Sequence, residues 1–380
     1  IAATLVTAGS AGNIQNFEVL DLANYTGSID ANLLTESDIQ ALELTAAVGG
    51  TATVTNLPGT TSLDVSAFGD IDPTTLTQAL GNVTVVQDGA ASGTSDSFDL
   101  NFNAQPVAAA TTNDNVTDFG TLTLSGTETV NVASGGSEFQ DVNAVGGIVD
   151  TLNQMATINI SGDKDFVLAG VETGSANTAT SAVDSSLSLI DGSSATGDLT
   201  ITAGTDTNTG AQIVSYDGLT INGGEGDDTI TNNADKGVVV AGAGDDAITV
   251  TGDNAVVTTG AGEDTVTVSA DYGQTASATS AQTGVVTTIT DIEAGDTIDF
   301  GTAVAAFSKA DISTAQTLDQ AVFAASSATA NEVEWFEYSG DTYIVNSGAA
   351  AGTADDIVVK LTGSVDLSDA TLSGGDLVIA

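Results

Sequence analysis

Gly223-Gly224-Glu225-Gly226-Asp227-Asp228, Ala241-Gly242-Ala243-Gly244-Asp245-Asp246 and Thr259-Gly260-Ala261-Gly262-Glu263-Asp264 are three copies of one turn, and their starts lie 18 residues apart twice in succession. Each copy runs into a segment with an apolar centre: Thr229-Ile230-Thr231, Ala247-Ile248-Thr249 and Thr265-Val266-Thr267. Period-2 alternation beside a glycine-acid turn predicts a short strand. Between the copies, Asn232 to Val240 and Val250 to Thr258 keep an apolar position (Val239, Val257) but lack the glycine-acid pattern. The period is therefore two nine-residue half-turns, with acid turns on one flank of a coil and plain turns on the other. Neighbouring strands stand about 4.8 Å apart, so turns one period apart stack directly on each other. Fixed self-similarity of this kind is the signature of a solenoid.

The copies follow the nine-residue pattern G-G-x-G-x-D-x-U-x, and in this the chain resembles the RTX family of bacterial secreted proteins, whose β-rolls bind calcium. Ala241 and Thr259 depart from it, standing where glycine is usual. The resemblance implies Ca2+ as the bound ion. Its physical basis is that glycine permits positive φ and close backbone approach, which brings carbonyls to the gap between stacked turns. Asp228, Asp246 and Asp264 add carboxylates there, while Asp227, Asp245 and Glu263 add backbone carbonyls and local field. Calcium takes roughly 6–8 oxygen ligands at about 2.3–2.6 Å in flexible geometry. Three stacked turns bound two gaps, hence two expected ions. Glycine and aspartate are also ordinary turn residues; the repeated register argues for the metal. The segment Thr288 to Phe300 is similar to the strand pair that closes an RTX roll, and within it Asp296 and Asp299 are either further ligands or solvated edge acids.

Composition narrows the function. The chain has 380 residues, 51 acids, four lysines and no arginine, for a net charge of −47. The basic footprint of a nucleic-acid binder is absent, and anionic membranes repel such a surface. Self-repulsion opposes compaction, and a cation that binds only the folded state offsets it by mass action. Such a chain stays loose at low calcium and folds at the millimolar calcium outside a cell, which suits export of an unfolded polypeptide. There is no cysteine and no histidine, which removes disulfides, the common zinc sites and histidine-dependent hydrolysis. No apolar run reaches the roughly 20 residues of a membrane-spanning helix. The first residues lack the positive region of a signal peptide and open in mid-repeat, so the natural chain is expected to begin further upstream.

The fold expected is all-β: a right-handed parallel β-solenoid or β-roll with calcium-binding turns and a small β-rich C-terminal cap. Short alternating segments bounded by Gly, Asn, Asp or Ser recur, as at Phe17–Leu22, Ala41–Thr45, Thr121–Leu124 and Thr157–Ile160. Residues 1–186 are expected to form a β-rich solenoid, or a sandwich as the alternative; residues 187–300 the β-roll; residues 301–380 the cap. Asp72-Pro73 opens a short predicted helix to Leu80, with Asp72 as N-cap, and Ser313–Ala325 is a second candidate. Thr173–Ser186 and Gln274–Gly284 read as low-complexity loops.

In the C-terminal piece, Glu332–Val345 predicts a hairpin turning at Ser339-Gly340-Asp341. Trp335, Phe336, Tyr338 and Tyr343 suit a cap core better than a sugar-stacking face. The Asn-X-Ser/Thr triplets at Asn24, Asn82, Asn115 and Asn159 are expected by chance in so Asn- and Thr-rich a chain. The acidic, apolar end, with Ile357-Val358-Val359-Lys360-Leu361-Thr362-Gly363-Ser364-Val365-Asp366-Leu367, is similar to the ends of RTX-type surface-layer proteins of Gram-negative bacteria. That resemblance implies an uncleaved type I secretion signal, an extracellular cell-surface location, and a protein whose partners are the type I secretion machinery and further copies of itself in a lattice. A segment of a large calcium-dependent adhesin is the alternative. A secreted hydrolase or lyase is disfavoured: there is no G-x-S-x-G motif, and a chain without arginine is poorly suited to an anionic polysaccharide.

Overall fold

The computed structural model of the chain describes residues 3, 15–34, 37–57, 60–66, 80–89, 95–103, 115–136, 140–173, 183–204, 214–273, 284–326, 329–348 and 355–380. It divides into two compact units, Ile1–Tyr216 and Asp217–Ala380.

In the first unit, successive strands alternate between two sheets. Val19–Asp21, Ala41–Leu44, Thr60–Val65, Ser97–Phe102, Thr129–Ser134, Thr157–Gly162 and Leu189–Ala195 follow one another across one sheet; Gly27–Asp30, Thr51–Leu57, Asn82–Gln87, Asn115–Ser125, Gln140–Asp150, Asp165–Leu168 and Leu199–Ala203 across the other. Neighbouring strands in each of these sheets pair in parallel, which is a solenoid and not the antiparallel sandwich. Parallel sheets usually read as continuous apolar runs because both faces are covered. Here one face is wet, so the strands alternate instead, and Thr129–Ser134 buries every second residue.

Register stacks like on like. Leu20, Leu42, Leu63, Leu100, Val132 and Ile160 are successive Cα partners, each at most 1% exposed, and so form one aliphatic file inside the coil. The outer face has a polar counterpart: Asn131 Nδ2 donates to Asp99 Oδ1, and Asn159 Nδ2 to Asn131 Oδ1, each at 2.8 Å. Coil length varies here. Ala41 pairs with Ser62, 21 positions on, and Ser62 with Asp99, 37 on. The variation sits in the connections, which is why no fixed period is visible in this half of the sequence.

The second unit begins with the regular coils. Thr220, Val238 and Val256 are partners at 18-residue steps in one sheet, as are Thr229, Ala247 and Thr265 in the other. Ile221, Val239, Val257 and Ile289 stack on one side, and Ile230, Ile248, Val266 and Ile298 on the other. The next step is 32 residues in both sheets, Val256 to Thr288 and Thr265 to Thr297. Thus Thr287–Ile289 and Thr297–Asp299 do not pair with each other. They are the two legs of a fourth coil, one in each sheet, delayed by an insertion of 32 − 18 = 14 residues.

The cap follows. Ile357–Leu361 pairs in parallel with Thr287–Ile289 and antiparallel with Asp341–Asn346, and Asp376–Val378 pairs antiparallel with Thr297–Asp299. Both parallel stacks therefore pass into antiparallel strands. The predicted hairpin joins Glu332–Tyr338 to Asp341–Asn346; Ser339 and Gly340 both have positive φ, the conformation of a two-residue hairpin loop matching strand twist. The second predicted helix is observed as Leu318–Ala325, with Thr317 as N-cap accepting from Gln320 N. Trp335 and Phe336 are buried and Phe336 stacks on Tyr343 at 5.5 Å, so these rings belong to the cap interior. The helix expected over Asp72–Leu80 lies, Leu80 apart, outside the described residues, as do most of Thr173–Ser186 and Gln274–Gly284.

Ile248 is 1% exposed in the middle of its file. Ile248→Ala should cost about 2–5 kcal/mol of unfolding free energy, while Thr249→Ala on the outer face of the same strand should stay within about 0.5 kcal/mol; urea unfolding of the two variants separates these outcomes.

Candidate metal centre

The three acid turns stack, and the inner acid of each becomes one member of a buried column. The first half of each later turn is not loop: the strands Val238–Ala243 and Val256–Ala261 run through Ala241-Gly242-Ala243 and Thr259-Gly260-Ala261. The chain bends only at Gly244-Asp245 and Gly262-Glu263, then enters Ala247–Val250 and Thr265–Val268. Asp246 and Asp264 stand at the joint between one sheet and the other. In the first copy, Gly223 to Asp228 lies between Thr220–Asn222 and Thr229–Asn232, with its bend at Glu225-Gly226.

Glycine is required where coils touch. Gly260 has φ +100°, and a Cβ there would overlap the carbonyl oxygen of Gly242; Gly262 meets the carbonyl of Gly244 in the same way. No other residue combines that φ with that clearance. Ala241 and Thr259, which stand where the first copy has glycine, are fully buried.

The column is built by hydrogen bonds of one sense. Asp228 N donates to Asp246 Oδ1 and Asp246 N to Asp264 Oδ1, both at 2.8 Å. Asp264 N donates to Asp296 Oδ1 at 3.1 Å. All four acids are at most 2% exposed. Asp296 is thus the fourth member of the column, not a solvated edge acid. Its sequence signal is Asp296-Thr297-Ile298, which repeats Asp264-Thr265-Val266 but is displaced from the 18-residue register by the insertion. Asp299 instead accepts from Thr267 Oγ1 and Gly301 N at the surface. The outer acids form a second, exposed file of opposite sense: Asp245 N donates to Asp227 Oδ1 and Glu263 N to Asp245 Oδ1. Asp291 takes the amides of Thr259 and Gly260 on its two carboxylate oxygens.

The ends of the column differ from its middle. Asp228 Oδ2 accepts from Gly224 N, and Asp296 Oδ2 from Glu293 N, so each end acid is closed by its own turn. Asp246 Oδ2 and Asp264 Oδ2 are buried with no hydrogen-bond partner. A buried carboxylate oxygen without donor or counter-ion is costly, and no lysine relieves it. Lys164 pairs with Asp163, Lys236 with Asp217 and Lys360 with Asp341, while Lys309 sits over the Trp335 ring. Burial pushes the Asp246 carboxyl up to about 7, reinforced by the charges of Asp228, Asp264 and Asp227 and opposed by the bond from Asp228 N. Asp264 is raised as well, by burial first and then by Asp296, Asp245 and Asp291, against the bond from Asp246 N.

These residues suit a hard divalent cation. The two orphaned oxygens belong to the middle acids, and Asp296 adds a third gap to the two bounded by the glycine-acid turns. Among the described residues no three acids converge as a metal shell, so a cation held by Asp246 or Asp264 takes most of its oxygens from backbone carbonyls. Calcium tolerates that ligand mixture. No protein-family model matches the chain, and no curated protein matches it.

An acid with a folded-state pKa above its unfolded one favours the folded state when protonated. Its contribution is complete below about pH 4 and is lost as pH rises through about 7. In chelator, the chain should therefore be more stable near pH 5 than near pH 8, and Asp246→Asn should flatten that loss; urea midpoints at the two pH values check the sign.

Proposed function

We propose that this chain is a structural surface-layer protein: it is exported unfolded, folds on binding extracellular Ca2+ and assembles with copies of itself into a calcium-dependent lattice on the cell surface. The observation that carries the calcium step is the pair of buried, unpartnered oxygens on Asp246 and Asp264. They sit in a column of four acids, in a chain of net charge −47. Divalent cations in the two gaps neutralise carboxylates that the protein itself leaves unmatched, and binding of the folded state alone turns ion concentration into folding free energy.

Export and location rest on composition and resemblance. A chain with four lysines against 51 acids is held open by its own charge where calcium is scarce and closes where calcium is plentiful. The C-terminal stretch Ile357–Leu367, similar to the ends of RTX-type surface-layer proteins, supports a type I secretion route. Self-association is favoured over catalysis by the residue inventory, since histidine, cysteine and arginine are all absent.

Asp246 and Asp264 each touch two gaps: Asp246 accepts from Asp228 N and donates its N–H to Asp264, and Asp264 in turn donates its N–H to Asp296. Asp246→Ala and Asp264→Ala should therefore each weaken calcium-induced folding, with each loss read as a rise in the calcium midpoint of the far-UV circular dichroism. An unchanged midpoint for Asp246→Ala would remove the stacked-turn site.

Electron microscopy of the full chain tests assembly. Ordered sheets in millimolar calcium that vanish on chelation are expected. Dispersed particles under both conditions would exclude a lattice and leave the adhesin segment.

A further inference from the structure

The insertion that delays the fourth coil carries Tyr272, and Tyr272 is fully buried in the cap. It lies four residues beyond Val268, the end of the strand that starts next to Asp264. It shares one buried cluster with Ala321, Val322 and Ala325 of the helix and with Phe336, Tyr343 and Val358 of the cap sheet. Its backbone is fastened as well. Tyr272 N donates to Asp356 O at 2.6 Å and Val285 N donates to Tyr272 O at 2.9 Å, while Asp271 bridges antiparallel to Ile357. The hydroxyl donates to Asp319 Oδ1 at 3.3 Å, inside the first turn of the helix. At the returning end of the insertion, a Cβ on Gly284 would overlap Tyr272 itself, so this glycine lets the chain close over the ring. An aromatic member of the cap's buried cluster thus comes from the insertion between the acid-turn coils and not from the cap's own sequence.

We infer that Tyr272 is a latch that makes folding of the C-terminal cap conditional on cation binding in the coils. This rests on the calcium reading of the Asp246–Asp264 gaps. A cation held at Asp264 fixes the start of Thr265–Val268, and that strand delivers Tyr272 to the cap. Without it the helix Leu318–Ala325 and the strands Glu332–Tyr338 and Asp341–Asn346 lose the ring on which they converge. Coupling is reciprocal, so a seated latch also tightens cation binding.

Trp335 is the only tryptophan and is 2% exposed in the cap, so its emission reports the cap alone, while far-UV circular dichroism reports all the backbone, most of its strands being those of the coils. The full chain is titrated with CaCl2 and both signals are followed. In the unsubstituted protein they should move with one midpoint. Tyr272→Ala should separate them: the circular dichroism transition shifts to roughly tenfold higher calcium, and Trp335 emission stays red-shifted through it. Tyr272→Phe, which keeps the ring, should hold the two together. Asp264→Asn supplies an arm that leaves the cap core intact and should shift both midpoints together. Trp335 emission indifferent to calcium while circular dichroism responds would overturn the latch and leave the calcium reading standing. The latch is equally overturned, with calcium binding retained, if Tyr272→Ala keeps the signals together or if Asp264→Asn moves circular dichroism alone. No response of either signal to calcium would overturn both.

Discussion

Axial register between coils is the constraint on which the rest of this structure depends. Every coil must place an aliphatic residue over an aliphatic residue, and the acid-turn coils also place an acid over an acid, because a one-residue slip in a strand exchanges its inner and outer faces. The aliphatic files from Leu20 to Ile160 and from Ile230 to Ile298 supply the apolar contact that favours stacking. The Asp228–Asp246–Asp264–Asp296 column and the Asp99–Asn131–Asn159 ladder fix which stacking is adopted. Stacking identical residues has a consequence when the residue is charged: the register that joins the coils also lines up carboxylates in a buried file.

That file is where stability and proposed function meet. An aliphatic file gains from each added coil, whereas an acidic file accumulates unbalanced charge inside the protein. The two end acids are closed by amides of their own turns, at Gly224 and Glu293; the two middle acids are not. No lysine stands at the column. On the proposed calcium reading such a fold is marginal without the cation and firm with it, and the net charge of −47 applies the same bias across the molecule. The cap has its own share of the dependence, since its core includes a ring borrowed from the coils.

Much was legible in the sequence. The 18-residue spacing of the glycine-acid turns announced stacked coils, and Ile230, Ile248 and Val266 fell on the inner face as their alternation required. Gly260 and Gly262 marked close backbone approach. Less visible was Asp296, whose place in the column is set by a 32-residue step, and an inserted segment hides a period from any search at fixed spacing. The resemblance of Thr288–Phe300 to a closing strand pair does not say which strands its two legs pair with. Proximity in a solenoid instead means opposite sheets, and the partners lie a full coil away.

The sequence by itself determined the strand-rich character, the coil period of the acid turns, the charge imbalance and the absence of histidine and cysteine chemistry. These are local or compositional properties, set by which residues are present and how they alternate. Only the tertiary structure decided which acids are buried and which are wet, because Asp245 and Asp246 are neighbours in the chain and differ only in the side of the bend they occupy. It also decided that two carboxylate oxygens lack a donor and that Tyr272 belongs to the cap. Each depends on amides and side chains brought together from distant positions, at separations set by coil length and not by local pattern.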